Sequence, residues 1–356
     1  MPDLGGWEVA RAGPDGSIAP PPPGDRCAPP VTCGDECALP WLLASVEDLG
    51  PEARCGGQIW RWSLTGSDGD FCACAPLDAG GALPRLPFAI GFVPPQTVVV
   101  AAEDDRVVAI DGGADRVLWE ANSTLQPTDV FAIDDNAGNP MVGVAVRTRG
   151  GDVSRVDFYD AARGGPPISR GVNGDLPLGL GVSSVTQSPF DRRWLRAVKE
   201  NGHAAFDVDP WMNVAYTEPP HTTARDGFFL HTFHAMFDGT WHRTVWTGER
   251  TDLPDRPSGV FTLAIVDDGG DNRVPLRDDC DEGADRLPYD TTCEFLDATA
   301  DPPLNTSAIA ICRDAAGERR IVRVHFSTCY TVVRQEQVHP DLRISGIAVG
   351  APTFWR

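Results

Sequence analysis

Along this chain an alternating apolar stretch repeatedly ends in a small polar residue, usually Asp. A glycine-rich or polar loop then leads to a second apolar stretch. The clearest copy is Val107-Val108-Ala109-Ile110-Asp111, a Gly-rich turn, then Val117-Leu118-Trp119. The others are 59–63 leading to Phe71, 156–160 leading to Ile168, 204–207 leading to 214–216, 263–267 leading to Val274, and 322–327 leading to 332–333. Alternation, β-branched residues and Gly/Pro/Asp punctuation predict strands in all of them. The same signals predict two more strands ahead of most copies: 88–93 and 97–102, 129–133 and 142–146, 178–185 and 194–198, 228–233 and 243–246, and one at 308–312. A short helix is expected only within 38–48, starting near Pro40.

The copies end at 63, 111, 160, 207, 267 and 327, with spacings of 48, 49, 47, 60 and 60 residues. A period of ~40–50 residues holding four short strands is the signature of radially repeated sheets. The pattern therefore predicts an all-β fold, a six-bladed β-propeller of four-stranded blades. The two long spacings are assigned to insertions, a polar loop at 251–258 and an acidic, cysteine-bearing loop at 278–303. The first copy has no inner strands before it, whereas the C-terminus offers an apolar strand at 344–349 and then Thr353-Phe354-Trp355. Closure follows as an expectation: C-terminal strands complete the N-terminal blade, removing sheet edges that would invite aggregation. The expected organisation is a flexible Pro/Gly/Asp-rich tether at 1–26, a Cys-rich cap at 27–56 and the propeller at 57–356.

Residues 107–119 resemble one repeat of the pyrroloquinoline-quinone-type propellers. The resemblance implies architecture; cofactor chemistry would need the site itself. Asp238-Gly239-Thr240-Trp241 is similar to the turn of the Asp-box in sialidase-like propellers, without its upstream Ser and the spacer before Gly.

Composition narrows the partners. The formal net charge of −21 disfavours nucleic acid and anionic membrane surfaces and favours cations and basic proteins. Lys199 is the only lysine, which fits a GC-rich bacterial source. The ten cysteines are Cys27, Cys33, Cys37, Cys55, Cys72, Cys74, Cys280, Cys293, Cys312 and Cys329. An even number of this size points to disulfides and an oxidising compartment. Neither Cys33/Cys37 nor Cys72/Cys74 has the spacing of a zinc knuckle. Bridges are expected at Cys280–Cys293, stapling the acidic loop, and between Cys312 and Cys329; the six N-terminal cysteines leave 15 pairings open. The expected location is extracellular, periplasmic or a lipid-anchored cell surface, with the signal segment absent from this chain, and the expected state a monomer. No apolar run reaches the ~20 residues of a membrane helix.

Candidate chemistry is sparse. Asp238-Gly239 reads as a two-residue hairpin turn, placing His234 opposite Arg243 and His242 opposite Ala235. His231 then lies four residues further from the turn than His242, at about 3.4 Å per residue, too far for all three to hold one metal. Calcium is the better candidate, because it takes six to eight oxygens. Asp267, Asp268 and Asp271 form one carboxylate cluster, and Asp279, Asp281 and Asp285 a second in which acids alternate around a glycine. The chain has no GxSxG, Walker, GxGxxG or HExxH motif. These features point to a secreted or cell-surface binding or scaffold protein for a protein or glycan partner. The alternative is a propeller hydrolase or lyase, calcium-dependent if the carboxylate clusters bind that ion.

Overall fold

The computed structural model describes residues 26–33, 37–52, 54–64, 71–77, 89–94, 97–103, 105–123, 125–148, 153–172, 174–176, 182–187, 193–199, 205–212, 214–217, 227–237, 240–249, 262–266, 286–287, 294–300, 307–313, 316–325, 330–332 and 338–350. From 182 to 332 it describes the strand backbones and only some of the side chains. The described residues contain strands and no helix.

The chain opens with β1 (Trp41–Asp48), β2 (Ile59–Ser63) and β3 (Cys72–Ala73). A second group follows as β4 (Ala89–Val93), β5 (Val98–Glu103), β6 (Arg106–Asp111) and β7 (Arg116–Asn122). The third is β8 (Gln126–Asp134), β9 (Pro140–Arg147), β10 (Val153–Asp160) and β11 (Gly164–Gly171). The fourth is β12 (Val182–Gln187), β13 (Leu195–Lys199), β14 (Ala205–Asp209) and β15 (Val214–Thr217). The fifth is β16 (Gly227–Phe237), β17 (Thr240–Glu249) and β18 (Thr262–Val266). The last strands are β19 (Arg286–Leu287), β20 (Glu294–Ala300), β21 (Ser307–Arg313), β22 (Arg319–His325), β23 (Tyr330–Val332) and β24 (Leu342–Gly350).

Hydrogen bonding sorts the described strands into antiparallel sheets in the orders β24-β1-β2-β3, β4-β5-β6-β7, β8-β9-β10-β11, β12-β13-β14-β15, β16-β17-β18 and β19-β23-β22-β21-β20. One edge strand of each of these sheets lies against that of the next: β4 on β8, β8 on β12, β12 on β16 and β16 on β20. β24 lies against both β20 and β4.

In the second and third sheets the last strand is the most exposed. In the second sheet β4 and β5 are buried almost throughout, whereas β7 is buried fully only at Trp119. Inner strands have a sheet packed on each face, so they read as continuous apolar runs such as Val98-Val99-Val100-Ala101-Ala102. Apolar clusters fill the spaces between sheets: sixth and first, first and second, second and third, and third and fourth.

Three expectations are corrected. The segment expected as a helix at 38–48 holds β1, buried at every position and paired on both sides. Its Trp-Leu-Leu-Ala-Ser-Val run lacks alternation because both faces are covered, which makes it ambiguous with a buried helix. The acidic loop expected at 278–303 contains the strand β20. The anchor expected at Asp207 is Asp209, where β14 ends. The tail strand β24 pairs with β1, with Glu47 opposite Arg343 and Trp41 opposite Gly350, and β1 separates it from β2. Residues 353–355 lie outside the described residues.

Candidate functional site

The third strands of three sheets end in the same construction. Asp111 Oδ1 accepts the backbone N–H groups of Gly113 (3.1 Å) and Ala114 (3.2 Å). Asp160 Oδ1 accepts those of Ala162 (2.9 Å) and Arg163 (2.8 Å). Asp209 Oδ1 accepts those of Trp211 (2.8 Å) and Met212 (3.0 Å). The side chain satisfies the first donors of the turn, which is why Asp suits this position. The three acids are 49 residues apart each time, a more regular spacing than the one read through Asp207.

Side chains then tie these turns from sheet to sheet. Arg61 Nη1, on β2, donates to Gly112 O beyond β6 (2.8 Å). Trp119 Nε1, on β7, donates to Ala161 O beyond β10 (3.0 Å). Trp211 Nε1 donates to Asp134 O at the end of β8 (2.9 Å). The turns therefore share one rim. Trp119 also stacks on Tyr159, with centroids 5.4 Å apart, and faces Gly164, whose φ is +64°. A Cβ there would fall 2.6 Å from the indole, so this turn needs glycine for both reasons. The stretch 107–119 singled out from the sequence is thus β6, its turn and a β7 whose Trp anchors the neighbouring sheet.

The buried charges serve the same architecture. The Arg61 guanidinium lies 4.8 Å above the Trp41 ring and 3.9 Å from Asp115. Burial lowers its pKa, and the nearby Asp115 carboxylate opposes part of that shift. Asp157 is 2% exposed, accepts Arg155 Nε (2.9 Å) and Nη2 (3.0 Å), and accepts Ser169 Oγ at 2.6 Å. Glu47 accepts Arg343 Nε at 2.8 Å across the β1–β24 pairing. Asp48 accepts the backbone N–H of Gly50 (2.9 Å) and of Cys55 (2.7 Å). Arg61, Asp157, Glu47 and Trp211 carried no sequence signal that separated them from other polar or aromatic strand residues; the Trp119 copy of the repeat did.

The rim's turns carry several carboxylates together with two exposed arginines, Arg163 and Arg116, the latter 3.6 Å from Asp111. Asp115 is exposed, and Asp111 and Asp160 are half-buried. Asp135, between β8 and β9, accepts N–H groups of Ala137 and Asn139 and the Asn139 amide, each at 2.8 Å. Partial burial pulls the Asp135 pKa upward, but the hydrogen bonds from the Asn139 side chain and from the turn's backbone outweigh it and hold the carboxyl below its ordinary value.

Of the cysteines, Cys27–Cys55, Cys33–Cys72 and Cys37–Cys74 are bridged. Cys312 is also disulfide-bonded, while Cys280, Cys293 and Cys329 lie outside the described residues. Bridges of this number belong to an oxidising, non-cytoplasmic setting. The calcium candidates Asp267, Asp268, Asp271, Asp279, Asp281 and Asp285 also lie outside the described residues. Among those described, no three His, Cys, Asp or Glu side chains converge as metal ligands. The hairpin has the register expected from an Asp238-Gly239 turn: β16 and β17 place His234 opposite Arg243, Ala235 opposite His242, and Phe237 opposite Thr240. Among the described residues no helix is long and apolar enough to cross a membrane.

No family model matches the chain, and no curated protein does either. Solved structures do. A chain of a nidogen/laminin complex aligns with a TM-score of 0.52 at 11% identity, covering 88% of this chain and 99% of that one. Hydrazine synthase of Kuenenia stuttgartiensis gives 0.46 at 13% identity over 77% of this chain and 72% of that one. A protein of unknown function from Bacteroides caccae gives 0.48 at 9% identity over 88% and 99%. The first likeness, together with the four-stranded antiparallel sheets, identifies a β-propeller-like fold.

Proposed function

We propose that this chain is a secreted or cell-surface six-bladed β-propeller, closed by β24 on β1, that binds a basic protein partner through its carboxylate-bearing rim. The observation that carries the reading is a division of labour among the charges. The buried Asp157, Glu47 and Asp48 are hydrogen-bonded across or within the sheets, whereas the exposed Asp115, which also faces Arg61, and the half-buried Asp135, bonded only within its own turn, stand on turns of the rim. Loops held at the end of a rigid scaffold are the usual carriers of recognition, and a net charge of −21 steers cationic surfaces toward them. The similar fold found in a nidogen/laminin complex accords with a binding role. For closure, the support is the neighbour relations of β24 with β20, β1 and β4, and the apolar cluster shared by the sixth and first sheets.

An immobilised arginine-rich peptide tests this reading. The protein is expected to be retained at low ionic strength and released at about 0.5 M salt, where surface charges are screened beyond a few ångströms. Asp115→Asn combined with Asp135→Asn is expected to weaken retention severalfold without changing the melting temperature by more than a few degrees. Absence of retention at low salt, or retention indifferent to both substitutions, overturns the reading.

A further inference from the structure

The segment before β1 sits on both sides of the first sheet's outer edge. On one side, His339 N–H donates to Arg26 O at 2.7 Å, and Trp60 Nε1 donates to Cys27 O at 3.1 Å. Ala28 packs there into the cluster between the sixth and first sheets. At the edge itself, Thr32 and Cys33 N–H both donate to Ala73 O (2.8 and 3.0 Å). On the other side, Cys37 and Leu39 pack into the cluster between the first and second sheets, and Ala38 O accepts Ser63 Oγ at 2.8 Å. Two bridges, Cys33–Cys72 and Cys37–Cys74, pin this strap to the two ends of the short β3 region.

These two bridges touch. Cys33 Sγ lies 3.5 Å from Cys74 Sγ, the sulfur of the other bridge. Each bridge also joins one buried cysteine to one half-buried cysteine. Cys33 and Cys74 are 4% and 3% exposed, whereas Cys72 and Cys37 are the more accessible members. The two more buried cysteines are therefore the two whose sulfurs touch, and a thiol from solvent reaches the two less buried cysteines first.

The geometry points to a disulfide relay: a dithiol delivered to either accessible cysteine converts both bridges into a single buried Cys33–Cys74 bridge. A dithiol thiolate attacking Cys37 Sγ displaces Cys74 as a thiolate, leaving Cys37 in a mixed disulfide. Cys74 then attacks Cys33 Sγ, 3.5 Å away, and displaces Cys72, which takes up a proton. The second dithiol sulfur attacks the mixed disulfide and releases Cys37 as a thiol. Attack on Cys72 runs the same course in mirror order: Cys33 is displaced, attacks Cys74 and releases Cys37. In either case one dithiol is oxidised to its cyclic disulfide, two protein disulfides become one, and Cys37 and Cys72 end as thiols. The strap stays fastened at the sheet edge while its hold beside the second sheet is let go. This is a two-electron redox switch, independent of the partner-binding reading and unaffected by that reading's failure.

The native protein, treated with one equivalent of dithiothreitol, alkylated and mapped by mass spectrometry without further reduction, tests it. The expected product carries a Cys33–Cys74 linkage with Cys37 and Cys72 alkylated. A product that keeps Cys33–Cys72 with Cys37 and Cys74 alkylated, or keeps Cys37–Cys74 with Cys33 and Cys72 alkylated, overturns the relay. Bridges that resist the dithiol in the folded protein overturn it too, because the route starts at the accessible sulfurs. The double variant Cys37→Ser, Cys72→Ser gives a second measure: a mass two hydrogens below its fully reduced form at Cys33 and Cys74 is expected, and two free thiols there would count against the relay.

Discussion

The first and second sheets are built to one plan and held by different means. The second sheet is continuous in sequence, 89–122, and folds as three successive hairpins, each strand pairing with the next. Its inner strands are almost wholly apolar, and no cysteine lies in it. The first sheet draws β24 from one end of the chain and β1 from the other, and Ser45 Oγ meets Ser345 Oγ (2.9 Å) across 300 residues. It carries buried Ser45, Glu47, Asp48, Arg61 and Ser63, and its segment is fastened by three disulfides. Hairpins close short loops at little entropic cost, whereas bringing chain ends ~300 residues apart together costs on the order of 5 kcal/mol. The three bridges lie within residues 27–74, so they constrain the N-terminal segment's own loops, and the long closure is offset by the pairing and packing of β24 on β1. The paired charges and serines fix register, because a one-residue slip of β24 would separate Glu47 from Arg343.

If the second sheet holds its neighbour by packing alone, the indole between them is where it breaks. Trp119→Ala removes the stack on Tyr159 and the bond to Ala161 O, leaving a cavity between the second and third sheets. A loss of about 4 kcal/mol is expected in denaturant unfolding, with Trp119→Phe recovering most of it. A loss under about 1 kcal/mol for the Ala variant would mean that the sheets are held by something other than this packing.

The inner strands offer a smaller test in both regions. A Cβ at Gly91 would fall 2.6 Å from Val130 O, a backbone atom of the third sheet that has no rotamer to retreat into. At Gly350 the nearest atoms are the Phe92 ring, 2.7 Å away. Gly91→Ala is expected to destabilise by about 2 kcal/mol and Gly350→Ala by about 1, since a ring can tilt where a carbonyl cannot. Equal values, or the reverse order, would show that the seam is packed as rigidly as the continuous sheets.

This contrast also marks what the sequence could convey. Strands in the continuous sheets were legible because hairpins leave local signs: alternation at the outer strands, Asp and Gly at the turns. The Asp238-Gly239 hairpin was read to its register. β1 was not legible, because a strand buried on both faces loses the period that tells it from a helix, and its partner β24 lies at the far end of the chain. Asp209 was missed for Asp207 because both follow an apolar residue, and only the backbone donors of Trp211 and Met212 choose between them. The N-terminal pairing was beyond reach, since spacing alone does not say that Cys72 and Cys74 flank a strand edge with the strap laid along it. The carboxylate-bearing rim was half legible: acidity was plain, but which carboxylates are buried and which exposed depends on sheet stacking.

The smallest effect concerns the protonation of the interface that Trp119 covers. Tyr159 is 1% exposed on β10, stacked against Trp119. Burial pushes its pKa up from 10.0 to about 12, the Asp157 carboxylate adds to the rise, and Arg155 opposes it. The fold thus holds the neutral phenol. Below pH 10 neither state ionises and the group's contribution is fully present; above it the unfolded chain releases the proton first, so stability falls as pH climbs toward about 12. Tyr159→Phe removes the titrating group, so the variant should lose less stability than the wild type between pH 9 and pH 11, measured as the shift in urea midpoint. The first sheet contains no tyrosine, so hydrogen exchange in β1 and β24 should not follow this difference. Parallel pH profiles for variant and wild type would mean that the phenol reaches water, and that the contact between the continuous sheets is looser than the seam closed from the two ends of the chain.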